Sequence, residues 1–216
     1  MKRLLGFILG LNLGIAFAAP ANAHPHIFVD GGIDFVMSGQ ETLEALSVTW
    51  LYDEFETLYD LASRGIEPQA DGSLSDTDRE AIRAAYSDWP DDFDGSAHLS
   101  IDGEVTEMAW PIDLAVDLVD GRLQLTFLRL LEEPTVLADK TVEVAFYEST
   151  YFFAFKISNN PTFVGSGACT AVVIPYTPGE QSEEVKQDLA RLSREETPNI
   201  ANVGQVFADR IVVNCA

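Results

Sequence analysis

Alternating apolar and polar positions dominate the chain beyond residue 23. Residues 27–37 (IFVDGGIDFVM) and 43–51 (LEALSVTWL) each alternate as strands do, and the SGQ nearby predicts a hairpin connection. Residues 98–108 (HLSIDGEVTEM) carry Asp102-Gly103 and residues 112–130 (IDLAVDLVDGRLQLTFLRL) carry Asp120-Gly121, each between alternating runs. A type I′ turn needs positive φ at both central residues, which Asp-Gly accepts, so both runs predict hairpins. KTVEVAFYE, YFFAFKI, ACTAVVIPY and RIVVNC supply further strands, rich in aromatic and β-branched residues. Many short strands with one apolar face each are buried most simply by packing two sheets, so the expected fold is mainly β, an antiparallel β-sandwich-like domain.

Helical periodicity interrupts this pattern in few places. Between Asp53 and Ala62, Phe55, Leu58, Tyr59 and Ala62 share one face; between Asp76 and Trp89, Ile82, Ala85, Tyr86 and Trp89 do the same. Residues 182–195 align Val185, Leu189 and Leu192 behind Ser182 as the expected N-cap, giving a C-terminal helical segment, and IANVGQVF predicts a short turn of helix before the final strand. The chain thus reads as a single domain over residues 24–216 with a helical insertion at about 52–90.

The loop inside that insertion, EPQADGSLSDTD (67–78), fits the twelve positions of an EF-hand-like calcium loop. Glu67, Gln69, Asp71, Ser73, Ser75 and Asp78 fall at the oxygen-ligand positions, with Gly72 at the sharp turn and Leu74 at the inward apolar position. The ligand chemistry is degraded: Glu67 is long, Gln69 neutral, Pro68 restrains the backbone and Asp78 reaches less far than a bidentate Glu. A helix–loop–helix with weak calcium binding is the expectation.

Upstream, Lys2 and Arg3 precede an apolar run from Leu4 to Ala19 that ends in Ala21-Asn22-Ala23. A positive start, a short apolar core and an A-x-A site predict a secretory signal peptide over residues 1–23, cut after Ala23; a membrane anchor is the competing reading, for which the run is short. Export would leave a periplasmic product, without membrane insertion after cleavage. Losing Lys2 and Arg3 leaves 11 basic against 35 acidic residues, a net charge of −24. That charge disfavours nucleic-acid backbones and anionic lipid and attracts cations. In an oxidising compartment the two cysteines, Cys169 and Cys215, predict one disulfide, with thiolate metal ligation as the alternative.

Two of the three histidines lie in His24-Pro25-His26 at the predicted mature start. A leading histidine offers an α-amine and an imidazole to one ion, and His26 adds a third nitrogen. Pro25 has no N–H and blocks the square-planar chelate that uses deprotonated amides, so a side-chain site is needed. Alternation along a strand puts His24, His26 and Asp30 on one side, and Asp53 is a second acidic candidate. The competing reading is a pair of polar residues on a frayed terminus. His98, at the start of a short strand, is either a distant further ligand or a hydrogen-bonded sheet residue.

AHPHIFVD, WLYDEF (50–55), the helix–loop–helix, DGRLQLTF (120–127), YESTYFFAF (147–155) and the Gly-Ala-Cys at 167–169 together resemble the bacterial domain of unknown function family 1007, over essentially the whole mature chain. The resemblance implies a periplasmic component of a metal-associated transport system, an accessory of a membrane metal permease or ABC-type transporter, and not an enzyme. His24, His26 and Asp30 match the family's opening and Asp53-Glu54 its acidic pair; the calcium-like loop and Glu148-Ser149, where Asp-Pro is usual, depart from it.

Three function classes follow. The favoured one is a transition-metal-binding accessory protein, with zinc first and nickel, cobalt or copper as the other ions. A copper oxidase built on an N-terminal histidine brace is the enzyme alternative, needing His26 or His98 as second imidazole. The third is an interaction module without a metal. No nucleophile elbow, phosphate loop, C-x-x-C or H-E-x-x-H motif occurs in the sequence.

Overall fold

The computed structural model of the protein describes residues 24–39, 41–89, 93, 95–165, 169–193 and 196–215. The predicted signal peptide lies outside the described residues. The first sheet grows from the expected hairpin, β1 (Ile27–Ser38) against β2 (Thr42–Tyr52). Leu46, Val48, Trp50 and Tyr52 alternate inward on β2, and on β6 (Arg122–Val136) Leu123, Leu125, Phe127 and Leu131 do the same, so two adjoining strands present one apolar face. β5 (Ile112–Val119) pairs with β6 through the Asp120-Gly121 turn, where φ is 51° and 77°, both positive as a type I′ turn requires. On the other edge, β8 (Phe153–Ile157) and β9 (Phe163–Val164) both run parallel to β1. These parallel pairs depart from the all-antiparallel expectation. A parallel neighbour needs a long crossover, and the chain reaches β8 only after passing through the second sheet.

That second sheet has the order β10 (Cys169–Ile174), β11 (Asp209–Cys215), β7 (Val142–Phe146), β3 (Ala97–Ile101), β4 (Glu104–Val105). Asp102 and Gly103, at φ 54° and 83°, make the second predicted turn. The sheets face each other across a shared core of Val48, Leu99, Val144, Phe146 and Ile211, all at most 1 % exposed. Phe146 fits against β1 because Gly31 has no side chain: a Cβ there would lie 2.3 Å from the ring. Cys169 and Cys215 are direct cross-strand partners on β10 and β11 and form the disulfide, which removes thiolate ligation.

The insertion is α1 (Glu54–Arg64), a loop and α2 (Asp76–Tyr86). Asp53 caps α1 and Gly65, at φ 67°, ends it. The expected inner face of α1 is the outer one. Phe55, Leu58 and Tyr59 are 77 %, 67 % and 63 % exposed, whereas Thr57, Asp60 and Leu61 are buried. The cause is a polar anchor: Thr57 Oγ1 accepts the Leu123 backbone N–H at the start of β6, which turns that face of the helix to the sheet. α2 follows expectation in part: Ile82 is fully buried and Tyr86 partly so, but Ala85 is exposed, and the helix ends at Tyr86, so the partly buried Trp89 lies beyond it. In the C-terminal segment α3 spans Glu180–Leu189 and its N-cap is Gly179, not Ser182. Ser182 sits in the first turn, where its hydroxyl accepts the Gly179 N–H, the reach-back half of a capping box. Leu189 packs on Val203 and Phe207 of a 3₁₀ turn (Val203–Phe207), the predicted short helix.

Candidate metal-binding site

His24 and His26 are brought together. Their ring centres are 5.0 Å apart, and both rings lie against Phe152, at 6.3 and 4.8 Å. The pairing comes from the backbone: the Phe152 carbonyl accepts the N–H of His26 at 2.9 Å and of Ile27 at 3.3 Å, which docks the entry of β1 beside the turn before β8. That turn is made by Glu148, whose carboxylate accepts the N–H groups of Thr150 and Phe152 and the Thr150 hydroxyl.

The hydrogen bond of His24 decides its chemistry. Nε2 lies 3.2 Å from the backbone carbonyl of Glu196. A carbonyl only accepts, so Nε2 carries the proton and, in the neutral ring, Nδ1 holds the lone pair. Nδ1 is sealed from solvent in a residue 7 % exposed and has no hydrogen-bond partner among the described residues. A ring whose one nitrogen donates to a backbone carbonyl while the other presents a lone pair is set up as metal-ligating histidines are. Two imidazoles sharing one tetrahedral ion, with Zn–N at about 2.0–2.1 Å, have ring centres roughly 5 Å apart, so the observed spacing fits a shared ion.

The carboxylates expected from the sequence are committed elsewhere. Asp30 does share the outer side of β1, but its Oδ2 takes the Arg122 guanidinium at 2.9 Å, while Arg122 also donates to the Tyr52 and Leu51 carbonyls. Asp53 accepts the N–H of Glu56 at the start of α1 and of Phe28 on β1. His98 stacks on Tyr147 at 3.8 Å and its Nε2 meets the Tyr147 carbonyl at 3.1 Å, the hydrogen-bonded sheet role. Among the described residues no group of three or more His, Cys, Asp or Glu side chains is gathered to hold a metal. Glu56, not singled out in the sequence, lines a cleft with His26, Phe55, Tyr59 and Phe152. It stands one turn into α1, where acidic side chains also favour the helix N-terminus, so its role in the cleft had no separate signal in the sequence.

In the calcium-like loop Gly72 makes its turn at φ 84° and Leu74 is buried, as the twelve-position alignment requires. Glu67 and Gln69 are exposed, and the remaining oxygens serve each other. Asp71 Oδ1 accepts both the hydroxyl and the N–H of Ser73, bonds that hold its carboxyl below the usual range, and Ser75 caps α2 by pairing with Asp78. Missed by sequence reasoning is a network beneath α1: Asp60 pairs with Arg64, whose guanidinium lies 5.5 Å from the Tyr86 ring centre. Burial, then the neighbouring Tyr86, raises the Tyr52 phenol well above its ordinary value, and burial, then Asp60, raises that of Tyr86.

A family model described as "Protein of unknown function (DUF1007)" matches residues 9–215. No curated protein matches the chain.

Proposed function

The chain belongs to the DUF1007 family of proteins of unknown function, and from that premise we propose that it is an exported, periplasmic transition-metal-binding accessory protein working with a membrane metal transporter. The ion is held at His24 and His26, with zinc favoured over nickel, cobalt or copper. The observation that carries this reading is His24 Nδ1, buried and without a hydrogen-bond partner among the described residues, in a ring whose centre lies 5.0 Å from that of His26. Cleavage after Ala23 adds a third donor. The α-amine of His24 and its own Nδ1 close a six-membered chelate, whereas Nε2, which faces Glu196, is too far round the ring to do so. The acidity of the chain, −22 overall, concentrates cations near its surface. A site of two or three nitrogens with solvent completing the shell suits an ion that is passed on rather than permanently held.

The test is titration of the exported protein, its N-terminus sequenced, with zinc in a calorimeter. His24→Ala and His26→Ala should each weaken binding at least tenfold with little change in melting temperature. Affinity should fall as the solution is acidified, because protons compete with the ion for the ligand nitrogens. Unchanged affinity in the double variant would end this reading. The same Nδ1-plus-amine pair is the donor set of a copper-binding histidine brace, which keeps a copper oxidase as the second reading; a copper-dependent oxygen consumption abolished by His24→Ala would favour it.

A further inference from the structure

The apolar stripe of α1 faces outward. A surface helix ordinarily turns such a stripe to the core. Here the Thr57 bond to β6 leaves Phe55, Leu58 and Tyr59 exposed at i, i+3 and i+4, where helical side chains are neighbours and form one ridge. A groove of about 470 Å³ lies beside the ridge, lined by Leu58, Leu61, Ala62, Ile66 and Pro68. Phe55 and Tyr59 also line the cleft that contains His26, so the ridge borders the ion site. Single exposed apolar residues are ordinary, but a contiguous patch rimmed by polar groups marks an interaction surface.

The charges around the ridge choose the partner. Glu54 and Glu67 line the same groove, are exposed, and stand in no ion pair among the described residues. The guanidinium groups of Arg64, on α1, and of Arg122, which lines a shallow cleft with Phe55, are already paired with Asp60 and Asp30. A second copy would bring its own carboxylates and a further charge of −22 against this rim, and an anionic lipid surface would bring phosphates, so both are opposed. A segment with apolar side chains flanked by Lys or Arg meets the ridge and the rim together. We infer that the outer face of α1 docks a cationic, apolar-anchored segment of the membrane transporter, beside His26. Only the identity of that partner rests on the transporter-accessory reading.

The probe is a synthetic amphipathic helix of leucine and lysine, compared with its glutamate counterpart and with a scrambled peptide of the same composition. Binding to the exported protein is followed by fluorescence anisotropy with chelator present, so a failed ion site and a failed docking face give different results. The lysine helix should bind about tenfold more tightly than either comparison peptide. Phe55→Gln/Leu58→Gln/Tyr59→Gln, which leaves the net charge unchanged, should weaken it about tenfold, whereas Val172→Gln/Ile174→Gln, at exposed apolar positions of β10, should not. Glu54→Gln/Glu67→Gln should weaken it severalfold and Glu104→Gln/Glu133→Gln, which removes the same charge at exposed positions outside the groove, much less; this comparison keeps the test usable if the triple variant fails to fold. Undiminished binding by the triple variant, or equal effects of the two Glu pairs, would overturn the inference. So would a parent dimer in sedimentation that the triple variant makes monomeric, or parent binding to phosphatidylcholine vesicles that the triple variant loses, because the ridge would then belong to a second copy or to a bilayer.

Discussion

Thr57→Val separates the two ways of docking α1. Thr57 is 2 % exposed and its Oγ1 accepts the Leu123 N–H at 2.9 Å. Valine keeps the shape and removes the acceptor, leaving a backbone donor buried and unpaired at the start of β6. That costs about 1–3 kcal/mol. For a domain of this size each kcal/mol moves the melting temperature by about 2–4 °C, so thermal unfolding followed by circular dichroism should show a fall of about 2–12 °C. Thr57→Ser keeps the hydroxyl and loses one methyl, about 0.8 kcal/mol, and should lie between. Phe55→Gln, Leu58→Gln and Tyr59→Gln change exposed positions and should each stay within about 0.5 kcal/mol of the parent. The reasoning fails if Thr57→Val is neutral while Phe55→Gln or Tyr59→Gln costs several kcal/mol, for then the apolar stripe is the buried one.

Asp30→Asn breaks a partly exposed ion pair with Arg122, so it should cost no more than about 1 kcal/mol and, in zinc titration, leave affinity within about twofold; a loss as large as that of His24→Ala would return Asp30 to the ligand set. Reducing the Cys169–Cys215 bridge, which spans 46 residues, should lower stability by about 4 kcal/mol in denaturant unfolding, and thiol titration of the unreduced protein should find no free thiol. The Tyr52 and Tyr86 phenols are raised in the folded protein, so the unfolded chain ionises first: their contribution is intact below about pH 10 and is lost as pH rises toward their folded values. Burial raises the Tyr151 phenol as well, so phenolate absorbance should show at least three tyrosines ionising late, Tyr52 and Tyr86 only as the fold is lost, and early ionisation of those two would contradict the burial that raises them.

The strands were legible because their apolar positions alternate, and the two Asp-Gly turns because positive φ at both residues leaves few other uses for that pair. The Cys169–Cys215 pairing needed only arithmetic. What the pattern could not reveal is which stripe of a helix faces inward when a polar residue makes the contact: Thr57 and Asp60 read as surface, yet one caps a strand and the other pairs with Arg64. Ser182 looked like a cap because serine is a favoured N-cap residue, whereas here it stands three residues on, at the reach-back position that Glu or Gln usually fills. Strand alternation placed His24 and His26 on one side, but both precede β1 and it is the Phe152 carbonyl that brings their rings near each other; the fate of the carboxylates was not legible either. Arg122 is 92 residues from Asp30 in sequence and meets it by reaching across β2.

Chain segments remote in sequence place the two imidazoles. The Phe152 carbonyl holds the entry of β1, Glu148 shapes the turn that carries Phe152, and the Glu196 carbonyl orients His24. The 3₁₀ turn presses on the same Glu148 segment, and it can do so because of Gly204: a Cβ there would lie 1.8 Å from the Glu148 carbonyl oxygen, with no flexible side chain to give way. The pairing of the two imidazoles therefore forms only once the C-terminal part of the chain has docked on the first strand. Two kinds of variant then behave differently. His24→Ala removes a ligand nitrogen and should leave the metal-free melting temperature nearly unchanged. Gly204→Ala, 180 positions away, touches no ligand, yet should lower the metal-free melting temperature and weaken zinc binding together, because the backbone that must shift also sets Phe152. In the parent, zinc at about a hundred times its dissociation constant should add about 2.7 kcal/mol to stability. Gly204→Ala with full zinc affinity would show that the His24–His26 pair is assembled by the first strand alone, and that the Glu148 turn is only its neighbour.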